Sequence, residues 1–126
     1  MAKWANDNVM DAALDYIATA DRLFVCKDQP SDYADAANTE DLATVTLTAG
    51  DGNGDYTIAD DTSGRKVTIA EQATITVDHT GTATHIALGI AGSSTLVYVT
   101  TCTSQALTAG NTVTVPAWKI GIGDPT

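Results

Sequence analysis

A chain of 126 residues and 13.0 kDa is long enough to bury one core and too short for a second, so a single domain over residues 1–126 is expected. Its 16 acidic against 6 basic residues give a formal charge of −10 and a pI near 4.1, which sets its surface against phosphate backbones and excludes direct nucleic-acid binding. No apolar run approaches the roughly twenty residues that span a bilayer. Residues 1–7 also lack the basic start and apolar middle of a secretory leader, so cytosolic synthesis without membrane attachment is expected.

Residues 1–8 read as an N-terminal arm carrying Trp4, and residues 8–20 as a helix. Asn6, Asp7 or Asn8 can cap it, and Val9, Met10, Ala13, Leu14 and Ile17 recur at helical spacing as its core face. Asp7 and Asp11 lie near the positive end of the helix dipole, and Asp11 and Asp15 are expected to face solvent.

The rest reads as strands. Leu23 to Cys26 is the first, and the Pro- and Asp-rich stretch from Asp28 to Asn38 is a loop with at most a helical turn. Ala43–Thr48, Tyr56–Ile58, Arg65–Ile69 and Ala73–Val77 follow, parted by turn residues. From His79 to Trp118 there is no Asp, Glu, Lys or Arg. Within this uncharged half Thr82–Leu88, Leu96–Ser104 and Thr112–Val115 are the strands, Pro116 ends the pairing, and Trp118–Ile122 is a last short strand. Period-two alternation places Leu96, Tyr98, Thr100 and Cys102 on one face and Val97, Val99, Thr101 and Thr103 on the other. Both faces are moderately apolar, so this strand is expected to be covered on both sides. The threonine-rich strands and frequent turns predict a mainly β fold: an antiparallel β-sandwich or twisted barrel over 22–123, with one N-terminal α-helix on an open side.

Little in the chain points to catalysis, and no enzyme is expected. His79 and His85 sit at unrelated spacings from Cys26 and Cys102, which is poor support for zinc. No serine sits in a nucleophile elbow, and Asp60 and Asp61, adjacent on an extended chain, point apart. The glycines at 50, 52 and 54 are not followed by a helix and so lack a phosphate cradle. Asp51, Asn53 and Asp55 match the first ligand positions of a calcium loop, with Ile58 at its hydrophobic eighth. Tyr56 stands where the sharp turn needs glycine and Thr62 where a glutamate should close the site, so a strand connection is the main reading and calcium the minor alternative. The two cysteines are expected to be reduced, buried and inert. A Cys26–Cys102 bridge stays open, because sequence carries no distance.

The segments DAALDYIATADRLFVCKDQPSDYADA, SGRKVTIA, GTATHIAL and LVYVTTCTSQALTAGNTVTVPAWKIGIGDP resemble a family of small virion proteins of tailed phages and prophages. The resemblance spans essentially the whole chain and is most specific over Leu96–Trp118; the Ala49–Asp61 stretch is this chain's own. It implies a structural protein of the particle, a head decoration or cement protein held outside the capsid on the major capsid protein, with trimers at local three-fold positions as one arrangement. It also implies synthesis in the host bacterial cytoplasm, location on the virion exterior and no cofactor. An acidic protein suits that exterior and would be repelled by packaged DNA. Contact candidates are Trp4, Val9, Met10, Tyr98 and Trp118, aromatics contributing disproportionately at interfaces. The alternatives are a tail or baseplate component, and a carbohydrate- or receptor-binding module using Tyr33, Tyr56 and the Asp51–Asp55 loop.

Overall fold

The computed structural model describes residues 4–125; residues 1–3 of the expected arm lie outside them. The class is mainly β, with antiparallel sheets and one N-terminal α-helix. The chain divides into two compact units: one holds the segment ending at Thr19, Thr48–Glu71 and the segment starting at Pro116, the other Ala20–Leu47 and Gln72–Val115.

In the first unit the helix α1 spans Asp7–Ile17. Asn6 is the residue that caps it, its Oδ1 accepting the Asn8 amide at 2.8 Å. The helix stops three residues before the expected end at Ala20, because the Thr19 hydroxyl donates to the Tyr16 carbonyl at 2.6 Å and closes the last turn. Met10 and Leu14 are its buried residues, and α1 packs on β4 (Arg65–Ile69) and β3 (Tyr56–Asp60). The expected core face is therefore partly wrong in phase, since Val9 and Ala13 are exposed. Strand order in this sheet is β3-β4-β9, with β9 at Trp118–Ile122. Tyr56, Val67, Ile69 and Ile120 are buried from alternate positions, as a pleated sheet with one covered face requires. Gly64 turns the β3–β4 hairpin at φ +75, and a Cβ there would collide with the Ile122 carbonyl oxygen.

In the second unit a four-stranded sheet has the order β2-β1-β6-β7, with β1 at Arg22–Cys26, β2 at Asp41–Thr46, β6 at Gly81–Ile90 and β7 at Thr95–Leu107. A two-stranded sheet pairs β5 (Gln72–Thr76) with β8 (Thr112–Val115). Leu23, Phe24, Val25 and Cys26 are all buried, so β1 is covered on both faces, which explains its unbroken apolar run. On one face Phe24, Cys26, Ala36 and Ala87 cluster, with Tyr33, Ala37, Leu96 and Val99 packed around them. Ala36 comes from a wide helical turn over Asp35–Thr39, in the stretch where at most one helical turn is expected. At Gly89 a side chain would meet the Tyr33 ring, its Cβ lying 2.8 Å from Cδ2.

β7 departs from the expected pattern in two ways. It is the outermost strand of its sheet, and residues 95–100 are only half-buried, so the chain does not close both of its faces. Its alternation is also broken: the register with β6 shifts between Leu88 and Gly89, where Val97 is the extra residue, and again between Ala83 and His85. The first bulge reverses the facing, which is why Leu96 and Val99 reach the same cluster although they are three residues apart.

Candidate functional site

Among the described residues the exposed large apolar side chains are Trp4 at 79 %, Val9 at 67 % and Tyr16 at 55 %, all on the N-terminal segment. Ala12 and Ala13 are exposed between Val9 and Tyr16. Positions 9, 12, 13 and 16 follow the i, i+3, i+4, i+7 rule, so they form a second apolar stripe beside the one made by Met10, Leu14 and Ile17. The apolar arc of α1 is thus wider than its sheet covers. Both stripes are present in the sequence; reading them as one face left Tyr16 out.

Besides the buried Met10 and Leu14, this helix is held by Asp11, which helical spacing alone would place on the solvent side. Its carboxylate accepts from Arg65 Nε at 2.8 Å and Nη2 at 3.1 Å, and Arg65 Nη1 donates to Asp60 at 2.8 Å. The two-pronged fork fixes orientation as well as distance, and its partners push the guanidinium pKa up, the hydrogen bonding to Asp11 contributing most.

Of the other contact candidates, Met10 is 4 % exposed and lies in the protein's own interior, so it offers nothing to a partner. Tyr98 and Trp118 are half-buried. Trp118 borders a shallow depression of about 240 Å³ lined also by Lys66, Thr68, Ala117 and Lys119. Lys119 is engaged there by Asp61, its Nζ donating to both carboxylate oxygens at 2.8 and 2.9 Å.

The Asp51–Asp55 loop uses its oxygens on its own backbone. Asp51 Oδ1 accepts the Ile58 amide at 2.8 Å, Asp55 Oδ2 the Thr48 amide at 2.6 Å, and Asn53 Nδ2 donates to the Ala49 carbonyl at 2.9 Å. These side chains act as turn clamps. Among the described residues no group of three or more His, Cys, Asp or Glu is placed to hold a metal ion. The aromatics proposed for sugar stacking are also committed elsewhere: Tyr56 is fully buried, and Tyr33 stands edge-on to Phe24 with centroids 5.5 Å apart and planes at 83°.

Cys26 and Cys102 are free thiols rather than a bridge. Burial, with Asp41 next in effect, pushes the Cys26 thiol up to about 12, and burial also raises Cys102. The thiolate is the reactive form. Alkylation of the folded protein at pH 8 is therefore expected to leave Cys26 unmodified while the denatured chain reacts at both positions, as mass spectrometry would read; rapid labelling of native Cys26 would contradict this burial.

Asp41 is the buried charged residue of the second unit, 9 % exposed. Burial raises its pKa, His79 with Nε2 4.0 Å away opposes the shift, and Asp78 adds to it. A carboxyl with a raised folded pKa opposes folding once it ionises, so its penalty is absent below about pH 3.8, grows as pH rises from there towards the folded value and is complete above it. Asp61 has the reverse sign: the Lys119 hydrogen bond lowers its pKa, and its contribution is lost as pH falls through that lowered value. Asp41→Asn is accordingly expected to raise the melting temperature at pH 7 by a few degrees and to leave it unchanged near pH 3. An equal shift at both pH values would show that the ionised carboxylate is not the cause.

Among the described residues no helix is long and apolar enough to cross a membrane. Compared with known proteins, the chain matches no family model, no curated protein sequence and no solved structure.

Proposed function

We propose that the protein is a structural component of a tailed-phage particle, a decoration protein that binds the outside of the capsid and braces its lattice. It acts by binding rather than by catalysis, with the major capsid protein as partner and trimers at local three-fold positions as one arrangement. The segment resemblance over Leu96–Trp118 supports the reading. So does the charge of −10, which favours a place outside a shell filled with DNA. The observation that carries it is the set of exposed apolar side chains Trp4, Val9 and Tyr16 on an otherwise acidic molecule. Apolar side chains left in water cost free energy that burial against a neighbour returns.

The test is reassembly. Purified protein added to expanded heads stripped of their decoration is expected to bind saturably and to raise the temperature at which the heads break open. Binding to isolated tails but not heads would move the protein to the tail, and binding to neither would overturn the virion reading.

A further inference from the structure

We propose that the outer stripe of α1, Val9, Ala12, Ala13 and Tyr16 with Trp4 ahead of it, docks into a protein groove that is apolar at its floor and carries lysine or arginine along one wall. The proposal rests on the virion reading for where that groove is found, and adds to it which face binds and what chemistry receives it.

The geometry of the helix defines the shape of the partner. Four residues at i, i+3, i+4 and i+7 are the pattern by which a helix lies in a groove. The two central positions are alanine, so the helix backbone can approach the groove floor closely, while Val9 and Tyr16 project at either end as anchors. The helix is also fixed before any partner arrives, because Asp11 is clamped by Arg65 and Met10 and Leu14 are buried. Little ordering cost therefore remains for binding.

Charge defines the wall. At 100° per residue Asn8 and Asp15 border the stripe on one side, and the core-facing Ile17 and Met10 border it on the other. Asp15 is exposed and has no ion-pair partner among the described residues, unlike Asp11. Neither Lys nor Arg occurs within α1. A cationic wall on the partner complements this edge, and an anionic lipid surface does not, since interfacial helices carry their Lys and Arg beside the apolar face.

A second copy of the chain is a poor occupant. An antiparallel helix pair about a two-fold axis would set the Asp15-bearing edge of one copy beside that of the other, a like-charge contact. A groove also wraps more of the helix than another helix does.

The experiment measures binding of the intact protein to stripped expanded heads, with Tyr16→Ser, Val9→Ser and Asp15→Lys as variants and the melting temperature of each as a folding control. Tyr16→Ser and Val9→Ser are expected to bind about tenfold more weakly or worse. Asp15→Lys is expected to bind several-fold more weakly and to lose part of the salt dependence seen for the unaltered protein. All three should melt within a few degrees of it. If the unaltered protein binds heads and the variants bind equally well, the helix proposal is overturned while the virion reading stands. If the unaltered protein binds neither heads nor tails, both fall. Concentration-dependent dimerisation abolished by Tyr16→Ser, or binding to vesicles of anionic lipid, would overturn the proposal in favour of a second copy or a membrane surface.

Discussion

Phe24→Ala is expected to destabilise the protein by about 3–5 kcal/mol, the range for deleting a buried aromatic ring. Phe24 is 2 % exposed on the central strand β1, where it meets Cys26, Ala36 and Ala87 and receives the edge of Tyr33. None of those neighbours can collapse into the space: Cys26 and Ala87 sit on paired strands, Ala36 in the tightly bonded turn, and Tyr33 against Gly89. The edge-on ring pair adds about 0.5–1.5 kcal/mol beyond its area. Domains of this size are stable by only about 5–15 kcal/mol, so the variant should unfold more than 10 °C earlier, a shift of roughly that size following from the usual entropy of unfolding. Thermal and urea melts followed by circular dichroism read it. A loss under about 1 kcal/mol would mean that the cluster is not tightly packed.

Gly64→Ala should cost about 2–4 kcal/mol through two separate effects. At φ +75 an L side chain is strained by roughly 1–2 kcal/mol. The added methyl also strikes the carbonyl oxygen of Ile122, which belongs to the last pair of the β4–β9 ladder, Arg65 with Ile122. A backbone oxygen held in a sheet cannot swing aside as a flexible side chain would. Gly52→Ala separates the effects: φ there is +80, but nothing lies within 4 Å of the added atom, so only the strain remains. The two variants are expected to differ by 1–2 kcal/mol; equal losses would show that the hairpin end yields. Phe24 and Gly64 lie in different compact units, and neither unit is a continuous stretch of chain. Both replacements are therefore expected to move one shared melting transition.

The strands were legible because each carries its own local signal. Arg65–Ile69, Thr112–Val115 and Trp118–Ile122 have the bounds that alternation and turn residues indicate. Two features were hidden for physical reasons. Strand order depends on long-range pairing, so nothing in residues 95–107 marks β7 as outermost, and a bulge leaves no trace in composition. On α1 the apolar arc is too broad to reveal which half the sheet covers, and the partner of Asp11, Arg65, lies 54 positions away in sequence. The candidate site was legible only in part: of the contact candidates Trp4 and Val9 are exposed and Met10 is buried, and Tyr16 is exposed without standing among them. The calcium-like spacing of Asp51–Asp55 has a second explanation in the structure, since the same oxygens that bind cations serve equally well to accept amides in a tight turn.

The two register breaks in β7 bear on how such a chain survives at high concentration. An uncharged strand of 13 residues at a sheet margin is the kind of segment that templates fibrils. Stacking of that sort needs six or seven residues in line, yet the pairing runs unbroken only from Tyr98 to Thr101 between the extra residue Val97 and the second shift. The kinks thus shorten the regular stretch that an edge-to-edge pairing could extend, on a strand that carries no lysine to repel one.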